Sequence, residues 1–198
     1  MNNNNLCPDR VPESDCGSEK ELKLSLNDAE WPYEYTDHDR QIVRAIVYDG
    51  EGYFYFVRAV RNDSFVNGTL IETAGGGVEP GEDLPTAVRR ELREELGAEV
   101  EITRKIGVVS DYYNLIHRHN INNYFLCRAV SFGGKSMTEE EIEDFHLSTL
   151  RLTYEEALAE YDRRKETRLG RLIAAREIPV LIAAAGILAR LAREVKQP

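Results

Sequence analysis

Gly76–Ala98 reads GGVEPGEDLPTAVRRELREELGA and gathers five glutamates and three arginines around one helical pattern. Asp83 suits an N-cap, because its carboxylate can accept a bond from a free backbone N–H, and Pro85 suits the first turn. Gly97 is the matching stop signal. Between them Leu84, Val88, Leu92 and Leu96 make an apolar stripe that would dock the helix on a core. Glu91, Glu94 and Glu95 stand beside that stripe at i, i+3 and i+4.

Like charges at this spacing weaken an isolated helix by about 0.2–0.5 kcal/mol per pair. Arg90 reaches Glu94 at i+4, but one guanidinium cannot neutralise three carboxylates. Two readings follow: a solvated acidic face, the usual fate of charge runs, or a set of ligands for a hard, oxygen-preferring cation such as Mg²⁺. The preceding residues bear on the choice. Gly75, Gly76, Gly77 and Gly81 flank Glu79 and Glu82 in a loop able to bring backbone close to a ligand, and a glycine-rich loop opening a helix can cradle phosphate.

The full spacing is G-x5-E-x7-R-E-U-x-E-E-x-G-U, where U is a bulky or aliphatic residue. Gly76, Glu82, Arg90, Glu91, Leu92, Glu94, Glu95, Gly97 and Ala98 fill it, the last slot by a small residue. This resembles the Nudix box. The resemblance implies an α/β (α+β) fold with a mixed sheet sandwiched between helices, over about Gln41 to Val195. It also implies metal-dependent hydrolysis of a diphosphate joined to another moiety X, typically a nucleoside diphosphate derivative. Glu94 and Glu95 would bind Mg²⁺ (Mn²⁺ as the substitute), with Glu91 a further ligand or the water activator. Arg90 would orient these carboxylates, Glu82 would pair with an arginine, and the Ala74 carbonyl is a further ligand candidate. Which glutamate is the base stays open.

With 198 residues and a net charge of −10, the chain suits one domain plus an arm. It is a poor partner for nucleic-acid backbones or anionic membranes. Cys7, Cys16 and Cys127 form neither a CxxC pair nor an even set, so a reducing cytoplasm is the expectation. The N-terminus lacks the pattern of a signal peptide, and the apolar run Ile178 to Ala189 is too short to span a bilayer.

Residues 1–40 read as an N-terminal arm and 41–198 as the domain. Leu22, Leu24 and Leu26 alternate as in a short edge strand, and Trp31, Tyr33 and Tyr35 could cover a sheet edge, meet a second subunit or stack on a base. From Gln41 the pattern predicts a hairpin turning at DGEG, a strand over Leu70–Thr73 feeding the glycine loop, and the helix. Two strands follow, Val100–Val109 and Asn123–Val130, separated by the loop SDYYNLIHRHNI. Then come a strand over Leu147–Leu152, a helix capped by Thr153 and Glu156, and a last helix from about Arg176 with Pro179 in its first turn.

Many relatives add a late-loop glutamate. The stretch MTEEEIEDF offers Glu139, Glu140, Glu141 and Glu143, of which Glu140 is the choice against a solvated acidic turn. Substrate contacts are read into Gly76 and Gly77, Arg58 and Arg61, and the loop residues Tyr112, Tyr113, His117, Arg118 and His119. Arg163, Arg164, Lys165, Arg168 and Arg171 read as a solvated helix end. Markers of substrate subgroups disagree. Asn114 stands near the place where ADP-ribose pyrophosphatases carry proline, while GGGVEPGED is close to the nucleotide-sanitising group. The alternatives are a non-catalytic Nudix-fold sensor of nucleotides and an interaction protein whose acidic helix only solvates a surface.

Overall fold

The computed structural model describes residues 20–62, 67–134 and 148–194. Seven strands, β1 (Leu22–Leu26), β2 (His38–Tyr48), β3 (Phe54–Asn62), β4 (Asn67–Glu72), β5 (Ala98–Tyr113), β6 (Arg118–Phe132) and β7 (Ser148–Leu152), join in one mixed sheet. The order is β1-β5-β6-β2-β3-β4, with β7 on β3. β1 runs parallel to β5 and β2 parallel to β6, while β5–β6, β2–β3, β3–β4 and β3–β7 are antiparallel. Helices α1 (Leu84–Leu96), α2 (Tyr154–Arg164) and α3 (Arg168–Glu194) cover it.

Alternation along the strands assigns the two faces. Val43, Ala45, Val47, Phe125 and Cys127 pack with Ala87, Val88, Leu92 and Leu96 of α1. Ile46, Phe56, Tyr124 and Leu126 pack with Ala157 and Tyr161 of α2 and with Ile173, Val180, Leu181 and Ala184 of α3. The sheet is thus sandwiched between helices, the mixed α+β architecture that the pattern predicts. Each fully buried leucine or valine contributes roughly 1.5–3 kcal/mol of transfer free energy.

Local signals set the helix ends. Asp83 Oδ1 accepts from Thr86 N at 2.7 Å, and Gly97 closes α1 with φ 65°, donating to Arg93 O. Thr153 and Glu156 complete the reciprocal cap of α2.

Two expectations change, for the β5–β6 connection and for the last helix. The segment SDYYNLIHRHNI is not a long loop, because β5 and β6 stay paired through Ser110–Ile121 and Tyr113–Arg118. They turn over one 3₁₀ turn, Asn114–Ile116, ended by His117 at φ 53°. Tyr112, Tyr113, Arg118 and His119 are therefore strand residues, and Asn114 serves the turn by donating to the Trp31 carbonyl. Leu22, Leu24 and Leu26 form the expected edge strand, paired with β5, and their side chains pack on the core. The last helix begins at Arg168 and runs through Pro179. A proline removes one i→i−4 bond, but Val180, Leu181 and Ala184 beyond it are buried against the sheet, and that packing carries the helix across. By length and composition α3 could cross a bilayer; here one face of it covers the sheet.

Candidate metal and phosphate site

Residues 74–78 run antiparallel to the first half of β2. Ala45 N donates to Ala74 O, Val43 N to Gly76 O and Val78 N to Gln41 O, each at 3.0 Å. Peptides alternate in direction along such a ladder, so Gly75 faces away from β2, and its N–H donates to Glu95 Oε2 at 2.8 Å. Gly75 has φ 147°, and a side chain there would overlap the Val43 carbonyl. Glycine is needed at this position for both backbone conformation and space. A Cβ on Gly76 would lie 2.5 Å from Glu91 Oε2, so the loop rests directly on that carboxylate.

Arg90 ties loop and helix together. Its Nε and Nη2 donate to the two oxygens of Glu82 at 3.0 Å each, Nη2 also donates to Gly77 O at 2.9 Å, and Nη1 reaches Glu91 Oε1 at 2.8 Å and Glu94 Oε2 at 3.1 Å. The Arg90 bonds hold the Glu82 carboxyl below its usual range, and the hydrogen bonds that the guanidinium donates, to Glu82 foremost, keep it firmly charged.

Glu95 goes the other way. Burial pushes its carboxyl up to about 8, and the Glu91 charge adds to this, against the opposing Gly75 bond and Arg44 charge. Among the described residues no three carboxyl, imidazole or thiol groups converge tightly enough to enclose a metal ion in this arrangement. Arg90 draws Glu91 and Glu94 to itself, and Glu95 is turned to Gly75. The donor set nonetheless fits a hard divalent cation: oxygen ligands on adjoining turns of one rigid helix, in surplus over the one arginine, with one carboxyl short of compensating positive charge. The Ala74 carbonyl already accepts from Ala45, whereas the Gly75 peptide lies on the carboxylate side.

Other residues named from sequence are dispersed. Arg58 is exposed on β3 and donates to Ser148 Oγ at 3.0 Å. Tyr112 stacks on His119 at 4.4 Å between ring centres, and His119 bridges Ser110 and Asp39. Tyr35 stacks on His117 at 4.0 Å. Tyr113 turns to the other face, where its hydroxyl accepts from Arg176 at 3.3 Å. Arg163 and Arg164 pair with Glu160, Lys165 with Asp162 and Arg171 with Glu30, as solvated helix ends do. Glu139, Glu140, Glu141, Glu143 and the Arg61 side chain lie outside the described residues.

Sequence reasoning missed a buried network under α3. Arg176 donates to Glu177, Asp111 and Glu72 at 3.0–3.1 Å. Thr73 and Tyr124 donate to the two Glu177 oxygens. Arg44 bonds the Thr73 carbonyl and pairs with Glu72. Burial opposes charge on Arg44, yet Glu72 and Glu177 hold it firmly protonated. The available signal was the pair Arg176–Glu177 inside an otherwise apolar helical run.

With this geometry in hand, comparison with known proteins is specific about the family. A profile of the NUDIX domain matches residues 38–171. A solved Nudix hydrolase from Nitrosomonas europaea superposes with TM-score 0.52 at 17% identity, covering 62% of this chain and 78% of that one. The E. coli ORF135 protein superposes with TM-score 0.52 at 25% identity, covering 77% and 92%. A curated relative named nucleoside triphosphatase NudI, from Enterobacter sp. (strain 638), is 63% identical over 30 residues. That match spans 15% of this chain and 21% of the relative.

Proposed function

The chain belongs to the Nudix hydrolase family, and we propose that residues 41–198 hydrolyse, with Mg²⁺ or Mn²⁺, the diphosphate linkage of a nucleoside diphosphate joined to another moiety X. The observation that carries this reading is the set Glu91, Glu94 and Glu95, clamped by Arg90 and roofed by Gly75–Gly77, in which the Glu95 carboxyl is pushed up to about 8 by burial and by Glu91. The brief identity with a nucleoside triphosphatase also supports a nucleotide substrate.

Glu91, Glu94 and Glu95 would hold the cation, with a loop carbonyl, Ala74 or its neighbour Gly75, as a backbone donor. Bound there, it supplies charge neutralisation on the diphosphate oxygens and a more acidic water. Phosphoryl transfer needs placement and charge compensation more than covalent help. Arg90 fixes the rotamers of Glu91 and Glu94 through Nη1, and the Gly75 N–H fixes Glu95. A carboxylate of this set takes the proton of the attacking water. The side-chain-free loop lets diphosphate approach that edge. Glu140 is the proposed additional carboxylate, and Glu140→Gln should lower turnover at saturating Mg²⁺; unchanged turnover removes it from the mechanism.

The decisive experiment incubates the purified chain with Mg²⁺ and a panel of nucleoside triphosphates and nucleoside diphosphate conjugates, identifying both products. A nucleoside monophosphate or X-phosphate product supports cleavage within the diphosphate. No product across the panel, together with no metal-dependent stabilisation, sinks the hydrolase reading.

A further inference from the structure

The glycine loop has an acidic side and a basic side. Gly76 faces Glu91, while a Cβ on the next residue, Gly77, would lie 2.7 Å from Arg40 Nη2. Arg40 is on β2, and the parallel register sets it beside Asn120 of β6, with His38 beside Arg118. Alternation puts Arg40, Asn120 and Arg118 on one face, opposite to that of α1.

Among the described residues these three side chains have no hydrogen-bond or ion-pair partner. In a chain with a net charge of −10, Arg44, Arg90, Arg93, Arg128, Arg151 and Arg176 are each ion-paired. Among the described residues neither guanidinium of Arg40 and Arg118 makes an ion pair or a hydrogen bond, and Asp111 and Tyr113 favour the Arg118 charge only from longer range. Arg118 Nε is buried and unbonded, and so is Oδ1 of Asn120, a residue only 1% exposed. Buried polar groups are normally hydrogen-bonded, so two adjacent exceptions call for an explanation. The amide of Asn120 can present either its oxygen or its NH₂ by a flip. Burial, and then the neighbouring Arg40 charge, make the protonated Arg118 less favourable than an ordinary guanidinium, which an anion would reverse. Guanidinium pairs suit phosphate oxygens because their planar donors match them two at a time.

We propose that Arg40, Arg118 and Asn120 form a metal-independent phosphate subsite, which holds a phosphate group of the substrate outside the bond that is cut. The inference builds on the proposed hydrolysis, since Gly76 and Gly77 place the two sites on opposite sides of one strand. Arg40 and Arg118 supply the charge, and Asn120 turns its NH₂ toward a phosphate oxygen. Substrates bearing a charged phosphate there are favoured over conjugates with a neutral X.

Inorganic pyrophosphate in EDTA is the probe, its binding measured by calorimetry and by thermal shift. Wild-type protein should bind it, and Arg40→Gln and Arg118→Gln should each weaken binding about tenfold. Asn120→Asp should weaken it further by placing a carboxylate against Arg118. Arg128→Gln, which removes a surface pair with Glu101 on another part of β6, should bind as wild type does. Arg40 is exposed, so its variant keeps the fold. Equal affinity of Arg40→Gln, Arg118→Gln and wild type, or no binding in EDTA at all, overturns the subsite even if Mg²⁺-dependent hydrolysis proceeds. Conversely, arginine-dependent binding with no hydrolysis of any substrate keeps the subsite and removes the proposed reaction. Where hydrolysis proceeds, Arg40→Gln should raise KM for phosphate-rich substrates with little change in kcat; a fall in kcat alone overturns the subsite.

Discussion

Two clusters of arginine and glutamate lie on opposite faces of the same sheet, and they are built by different rules. Under α3, Arg176 and Arg44 meet Glu72, Asp111 and Glu177, and neutral donors from Thr73, Tyr124 and Asn122 take up remaining carboxylate oxygens. On α1, Arg90 meets Glu82, Glu91 and Glu94, with Glu95 beside them accepting from the Gly75 N–H. The first cluster is closed and nearly balanced. The second is half-buried at the helix surface and acidic by surplus. Burial with nearly balanced charge marks a structural network, whereas an acidic surplus over one arginine on a rigid helix leaves a place for a cation.

The largest effect should come from breaking the balanced cluster. Arg176→Met leaves Glu177 and Asp111 buried without their guanidinium, and removing one partner of a buried network costs about 3–5 kcal/mol. For a chain of this size that is roughly a 10 °C fall in Tm. Mg²⁺ should raise both proteins alike and leave the difference between them, and adding Glu177→Gln should recover part of the loss. A Tm within 2 °C of wild type would show the two clusters to be equivalent in stability terms.

The surplus cluster should respond in the opposite sense. Glu94→Gln removes a charge for which Glu82 and Glu91 compete at Arg90, and Glu95→Gln removes an acid whose ionised form burial disfavours. Stability in EDTA should therefore hold or rise, while turnover falls about 100-fold or more, several kcal/mol of transition-state stabilisation being attributed to a correctly held metal. Arg90→Lys keeps the charge but loses the fork that reaches Glu82, Glu91, Glu94 and Gly77 O together, and should cost about 10–100-fold in activity or metal affinity. A variant that loses stability in EDTA as Arg176→Met does would break the distinction.

Mg²⁺ should stabilise wild type by roughly 2.7 kcal/mol at a hundred times its Kd, and this gain should vanish in Glu94→Gln. Thermal scans with and without metal measure both. An identical metal shift in the variant removes Glu94 from the ligand set.

The same contrast explains what could be read from the chain before the fold was in view. α1 was legible to its ends because Asp83, Gly97 and the stripe Val88, Leu92, Leu96 act locally, and the box residues lie within one helix and its loop. The buried cluster was not, because Arg176 finds Asp111 and Glu72 far along the chain and only the folded sheet brings them under α3. The β5–β6 turn was misread as a loop for a related reason. It contains no Asn-Gly or Asp-Gly pair, and His117 rather than glycine takes the left-handed position. Arg40 and Arg118 were separated in the same way, since a parallel register between β2 and β6 has no local signature.

A third arginine–carboxylate contact sharpens the comparison with the smallest effect. Arg171 grips Glu30 through Nε at 2.8 Å and Nη2 at 2.6 Å, a two-pronged geometry as good as that of Arg90 on Glu82, but the guanidinium is exposed. The Arg171 bond lowers the Glu30 carboxyl below its usual range. A depressed carboxyl contributes stability that is present above its unfolded value and disappears as pH falls through the folded one. Arg171→Gln should therefore separate from wild type by no more than about 2 °C in Tm near neutrality, because solvent screens an exposed pair. The two curves should converge as pH falls through the lowered Glu30 value of wild type, where the carboxyl is protonated in both. A separation as large as that of Arg176→Met would mean that ion-pair geometry, rather than burial and charge balance, decides what these clusters are worth.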